Sequence, residues 1–281
     1  MLSTIQRDVI NSLVSNRNEN SYFAGSSVFN EMRQRMSGDL DVFHPSSEEC
    51  EKSFTHDVST LKETGFAVEI VREGQNPFFA KAIIRRGEEQ TEMDWAFDSG
   101  YRFFPAQKHP QFGYVLHEYD LLVGKIFACS SRMAVRDYYD ICDAWRRGLP
   151  VVECLLAAPA CDPGYSPEAL LDAMGFHSKY RPEMFKELDF GKTLDDKELL
   201  DLCRWCKTMF IAMSRAARTA FKQLPFTEAG TLFLKKDTLK AFLPTPEELE
   251  KGDFVRNTGR NYSPAFLARD SNGDPRFGYS I

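Results

Sequence analysis

The sequence predicts an α+β chain, with a sheet and flanking helices over residues 1–148 and a mainly helical region over residues 149–281. Three observations carry this prediction. Between Phe66 and Phe97, three segments rich in Val, Ile and aromatic residues are separated by Gly74-Gln75-Asn76-Pro77 and Arg86-Gly87-Glu88-Glu89, the pattern of antiparallel hairpins. Upstream, Leu40 to Phe43 reads as a further strand. From Val151 onward the apolar residues recur almost throughout at helical spacing, and Gly148-Leu149-Pro150 marks the break between the two regions.

The elements follow in order. Leu2, Ile5, Val9, Ile10 and Leu13 predict an amphipathic first helix. Tyr22 to Ala24 is a short strand leading into a Gly25-Ser26 turn, and Val28 to Gln34 a short helix. Polar caps at Ser46 and Ser47 with acids in the next turn start a helix that stops at Gly65. Strands at Phe66 to Arg72, Phe78 to Arg85 and Thr91 to Phe97 precede a loop rich in aromatics from Tyr101 to Gln111. Helices are then expected at Tyr119 to Ser131, Val135 to Arg147, Val151 to Ala158, Pro167 to Met174 and Asp195 to Leu224. The tail after Phe254 is rich in Asn, Gly, Asp and Pro and reads as extended segments and turns, including Asp270 to Asp274.

At 281 residues, with 43% hydrophobic and 27% charged residues, the composition is that of a soluble globular protein. A net charge of −6 means that any contact with nucleic acid needs a local basic patch. No run approaches the roughly 18 apolar residues of a membrane span, and Met1 to Asp8 lacks the basic start and apolar core of a signal peptide. Seven scattered cysteines suit reduced thiols and a cytoplasmic location. Cys203 and Cys206 form a CxxC within a helical pattern, without a second ligand pair, and read as packing residues.

The candidate chemistry centres on Asp39 and Asp41. Two residues apart on a strand, they face the same way. Asp94, between Met93 and Trp95, adds a third acid on another strand of the same sheet, with Asp98 as the alternative. Clustered carboxylates repel one another, and a divalent cation relieves that repulsion. Mg²⁺ favours a few carboxylates together with phosphate oxygens. Gly25 allows close approach of backbone to a phosphate, and Ser26 offers a hydroxyl and an N–H. His44 and His117 read as a strand-end surface histidine and a loop histidine.

Gly25-Ser26 followed by Arg35-Met36-Ser37-Gly38-Asp39-Leu40-Asp41-Val42-Phe43 resembles the first motif of the nucleotidyltransferase AbiEii/AbiGii toxin family. The second motif of that family resembles Asp120-Leu121-Leu122-Val123-Gly124-Lys125 followed by Arg136-Asp137-Tyr138-Tyr139-Asp140-Ile141. The resemblance covers roughly residues 20 to 148. It implies a polymerase-beta-like nucleotidyltransferase fold, a mixed sheet with flanking helices, followed by a helical region. It also implies a toxin that transfers a nucleoside monophosphate from an NTP to an acceptor hydroxyl with Mg²⁺ or Mn²⁺, with tRNA or another RNA as the acceptor and a cognate antitoxin as partner. In this reading Asp39, Asp41 and Asp94 hold metal, and Gly25, Ser26, Arg35 and Lys125 bind nucleotide. Lys125 is the essential lysine, and Asp137 the last essential acid. The alternatives are a transferase acting on a protein or small molecule, and a nucleotide-binding interaction protein without turnover.

At about 100° per residue, Arg204, Lys207, Arg215, Arg218 and Lys222 fall on one face of the long helix, opposite Met209, Phe210, Met213, Ala217, Ala220 and Phe221. A nearly all-basic face in an acidic protein is the candidate acceptor-binding surface for RNA.

Overall fold

A computed structural model of the chain describes residues 2–30, 35–75, 77–98, 102–162, 164–223, 232–242, 245–252 and 254–257. They form two compact units, Met1–Leu121 and Leu122–Ile281.

The first unit opens with α1, Thr4–Leu13. Ser3 Oγ accepts the Gln6 N–H at 3.3 Å and Gln6 Oε1 accepts the Ser3 N–H at 2.9 Å, a reciprocal cap that starts the helix where the apolar spacing begins. β1, Tyr22–Ala24, leads directly into α2, Gly25–Phe29. This corrects the expectation of a turn and then a helix from Val28. Gly25 takes φ +66°, a conformation glycine adopts without strain, so the chain enters the helix three residues early. α2 ends at Phe29 with Asn30 as its C-cap, and the rest of the expected helix, residues 31–34, lies outside the described residues. β2, Asp39–His44, and α3, Ser47–Glu63, match expectation; Ser46 caps α3 and Gly65, at φ +89°, follows its end.

β3, Ala67–Gln75, β4, Phe78–Arg86, and β5, Glu89–Phe97, form an antiparallel meander, with β3 running past the expected Arg72. β6, Gln107–His109, and β7, Gly113–Val115, lie in and just after the aromatic loop, too short for alternation to reveal them. The seven strands are ordered β3-β4-β5-β2-β1-β7-β6. β2 runs parallel to β5 and β1 parallel to β7, and the other pairs are antiparallel, so the sheet is mixed.

One face of this sheet packs on α1 and α3 through Leu40, Val42, Met93 and Trp95, with Phe54 edge-on to Trp95 at 5.2 Å. Beneath it, Asp57 of α3 is fully buried, pairs with Arg17 and accepts hydrogen bonds from Trp95 Nε1 at 2.8 Å and Asn16 Nδ2 at 2.9 Å.

His44 is also on this inner face, with 0% exposure and its Nε2 3.0 Å from Ser21 Oγ, which corrects its reading as a surface residue. Burial, reinforced by the Arg17 charge, pushes its pKa down to about 4. The fold therefore holds His44 neutral while the unfolded chain binds a proton below its ordinary value of 6.5. Stability should fall as pH drops through that window, by about 2 kcal/mol between pH 7.5 and pH 5. Urea unfolding of the native protein and His44→Gln at both pH values checks this. The native protein should lose more stability than the variant, and equal losses would contradict the assignment.

The second unit begins within α4, Glu118–Ser131, and continues through α5, Val135–Arg146, α6, Val151–Ala157, α7, Pro167–Gly175, and α8, Asp196–Phe221. Gly148 turns between α5 and α6 with φ +76°. Cys203 and Cys206 lie on the buried side of α8, where Cys203 Sγ donates to the Tyr180 carbonyl and Cys142 Sγ to the Cys206 carbonyl. This unit also contains a small antiparallel sheet that the sequence analysis did not anticipate. It is made of β8, Leu232–Lys235, β9, Ala241–Phe242, and β10, Phe254–Asn257, with α9, Pro246–Lys251, preceding β10. The expected turn at Asp270 to Asp274 lies outside the described residues. No helix among the described residues is long and apolar enough to cross a membrane.

Candidate active site

Backbone register sets the acids side by side. Asp41 is the Cα partner of Asp94 across the parallel β2–β5 pair, Ala24 partners Asp41 across β1–β2, and Lys81 partners Asp94 across β4–β5. Ala24, Asp41, Asp94 and Lys81 thus form one row across four strands, on one face of the sheet. One step along the row, Asp39 partners Glu92. Leu40, Val42, Met93 and Trp95 alternate to the packed face, which leaves the three aspartates half-buried on the other. Asp98 lies at the far end of β5, where its N–H donates to the His44 carbonyl at 2.9 Å. Of the two candidates, Asp94 is the one beside Asp41.

Lys81 is the one cation in this row. Its Nζ donates to Glu92 Oε2 at 2.7 Å and lies 3.4 Å from Asp94 Oδ1 as an ion pair. Asp94 Oδ1 is buried and has no hydrogen-bond partner among the described residues. Burial raises the Asp94 pKa, Lys81 opposes this, and the charges of Asp39 and Glu92 add to it. Ser37 Oγ donates to Asp39 Oδ1 at 3.1 Å. Hard carboxylate oxygens on one half-open face, one of them unsatisfied, suit Mg²⁺ or Mn²⁺. Among the described residues, no three histidine, cysteine or carboxylate side chains already form a metal-binding cluster.

Gly25 sits against this row. A Cβ built on it would lie 1.8 Å from Asp41 Oδ2, so only glycine leaves that carboxylate in place. Gly25→Ala should displace Asp41 and cost about 1–2 kcal/mol of stability through the left-handed backbone. A melting curve checks this, and an alanine variant with native stability would contradict it. Arg35, expected to contact nucleotide, is 5% exposed and donates from Nη2 to Ser26 Oγ at 2.8 Å and from Nη1 to the Met36 carbonyl at 3.2 Å. Its guanidinium occupies an acceptor site of Ser26 and so biases the hydroxyl proton away from Arg35.

In the second unit α4 and α5 bring Lys125, Arg132, Asp137 and Asp140 together. Lys125 Nζ is 2.9 Å from Asp140 Oδ2 and 3.7 Å from Asp137 Oδ1, and Arg132 grips both oxygens of Asp137 at 2.7 and 3.1 Å. The side chains of Asp137 and Asp140 are fully buried and that of Lys125 is 7% exposed. Two buried acids matched by two cations satisfy the requirement that buried charge be paired. Asp120, from the same motif, belongs to the first unit and accepts the N–H groups of Phe103 at 2.8 Å and Phe104 at 3.1 Å. On α8, Arg218 pairs with Asp172 at 2.5 Å and Arg204 lies 3.6 Å from Asp201, so part of the basic face is neutralised. Lys207 is half-buried, and Arg215 and Lys222 are exposed.

Lys81 and Glu92 were missed in the sequence. The two-residue turn at Gly87-Glu88 pairs Arg86 with Glu89, and counting outward places Lys81 opposite Asp94. That signal was available.

No family model matches the sequence, and no curated protein is similar to it at a significant level. The comparison with solved structures gives distant likenesses. JHP933 from Helicobacter pylori matches with a TM-score of 0.47 at 12% identity, over 78% of this chain and 96% of that one. MenT4, a nucleotidyltransferase toxin from Mycobacterium tuberculosis H37Rv, matches with a TM-score of 0.42 at 16% identity, over 76% of this chain and 91% of that one. At these identities neither likeness bears on what this chain does.

Proposed function

We propose that the chain is a divalent-metal-dependent nucleotidyltransferase. An acceptor hydroxyl oxygen loses its proton and bonds to the α-phosphorus of an NTP, the bond from that phosphorus to the α,β-bridging oxygen breaks, and pyrophosphate leaves. The observation that carries this reading is the Asp41–Asp94 register with Gly25 held against Asp41. It puts a backbone that can approach a phosphate beside a row of carboxylates. Asp39, Asp41 and Asp94 would hold Mg²⁺ or Mn²⁺, which when bound offsets charge on the triphosphate and the leaving group. Ser26, steadied by Arg35, offers its hydroxyl and N–H to the terminal phosphates. Residues 1–148 form the transferase domain in this reading. By the resemblance Lys125 and Asp137 are the essential lysine and the last essential acid; within the second unit Lys125 Nζ is held 2.9 Å from Asp140 and 3.7 Å from Asp137.

The two motifs support the finer reading of a toxin of the AbiEii/AbiGii kind, acting in the cytoplasm and restrained by an antitoxin. The acceptor is an RNA such as tRNA, drawn in by Lys207, Arg215 and Lys222 together with Arg204 and Arg218. The test offers each of four α-labelled NTPs to the purified protein with separate RNA, protein and metabolite pools. Label should enter RNA. Label in the protein or metabolite pool would replace the acceptor, and label in none of them would remove the transferase reading.

A further inference from the structure

The first unit holds an aromatic cluster that the proposed chemistry leaves unused. Phe104 and His117 stack at 4.0 Å with an interplanar angle of 17°, and Tyr119 stands edge-on to them at 5.5 and 5.1 Å. All three are half-buried.

Its position follows from the sheet. β7 runs parallel to β1, and the Leu116 N–H donates to the Phe23 carbonyl at 3.0 Å. The chain therefore leaves the sheet toward His117 on the strand beside the one that leaves at Gly25, about 5 Å away. The cluster is also tied to the acidic face. Tyr22 shares that face with Ala24, and the Arg102 guanidinium lies over the Tyr22 ring at 4.7 Å. The next two residues, Phe103 and Phe104, are anchored by their N–H groups to Asp120. Counting on from the Phe23–Val115 pair puts His117 beside Gly25, which follows the Ala24 end of the acidic row, and Phe104 stacks on that histidine.

His117 carries a defined donor. Its Nδ1 accepts the Tyr119 N–H at 3.1 Å, so the neutral ring bears its proton on Nε2, which has no partner among the described residues.

We propose that the Phe104–His117 stack is the platform for the nucleobase of the donor NTP, with the base adding as a further layer and the His117 Nε2–H serving the sugar. This rests on the nucleotidyltransferase reading. Stacking on an aromatic face tolerates any base, so the platform confers affinity for nucleotide over bare triphosphate rather than choice among bases.

The test measures binding of ATP, GTP, CTP, UTP and inorganic tripolyphosphate, with Mg²⁺, to the native protein and to Phe104→Ala, His117→Ala and His117→Phe. Both alanine variants should weaken every NTP about tenfold and leave tripolyphosphate unchanged. His117→Phe, which keeps a ring, should retain most of the NTP affinity. Equal weakening of NTPs and tripolyphosphate, or unchanged NTP binding in both alanine variants, would overturn the platform and leave the transferase reading intact. A native protein that binds neither NTP nor tripolyphosphate would overturn both.

Discussion

Asp39→Asn and Asp41→Asn should each abolish transfer from an α-labelled NTP, by at least about a hundredfold, the scale seen when a group that stabilises developing charge is removed. Expression of the native chain should arrest growth, and both variants should relieve that arrest. The fold should survive, because both side chains are half-buried on the open face of β2 and their neighbours Leu40 and Val42 carry the packing. Each change removes one negative charge from a face that holds Asp39, Asp41, Glu92 and Asp94 against Lys81, so thermal stability should hold or rise. Arrest that persists in both variants would remove these residues from the chemistry. Loss of activity together with loss of fold would make the residues structural.

Asp57→Ala should be the most destabilising single change in the first unit. Asp57 is the partner of Arg17, and both side chains have 0% exposure. The carboxylate also receives the Trp95 and Asn16 donors, so its removal leaves a buried guanidinium and two buried donors without it. Breaking one side of such a pair costs about 3–5 kcal/mol, against a total stability of about 5–15 kcal/mol for a typical domain. Trp95 belongs to β5 next to Asp94, so the damage should reach the acidic row and lower activity as well. Replacing both partners, as Arg17→Met with Asp57→Leu, should recover much of the loss. Urea unfolding checks this, and a cost for Asp57→Ala below about 1 kcal/mol would contradict it.

Asp39 and Asp41 sit on an alternating strand, and their shared face follows from a period of two. The same parity puts His44 with Leu40 and Val42 on the inner face, and reading it as a surface residue ignored that count. Lys81 was equally legible from the Gly87-Glu88 hairpin. The parallel pairing of β2 with β5 was not, because a helix and two strands intervene and no local signal sets the register of a crossover. Asp57 and Arg17 were hidden for another reason. A charged residue within a polar helix face or a polar loop looks solvated until tertiary packing buries it. The local pattern at Gly25 is that of a turn, whereas its left-handed φ begins a helix and the missing Cβ leaves space for Asp41. β6 and β7, three residues each, exist because of the strands beside them rather than through any pattern of their own.

The central claim is that the acidic face of the first unit transfers a nucleotidyl group. It is tested most directly by supplying the native protein with total RNA and the same NTP labelled at either the α- or the γ-phosphate. Nucleotidyl transfer predicts that the acceptor retains the α-label and that the γ-label leaves as pyrophosphate. Retention of the γ-label on the acceptor would mean phosphoryl transfer and would contradict the account.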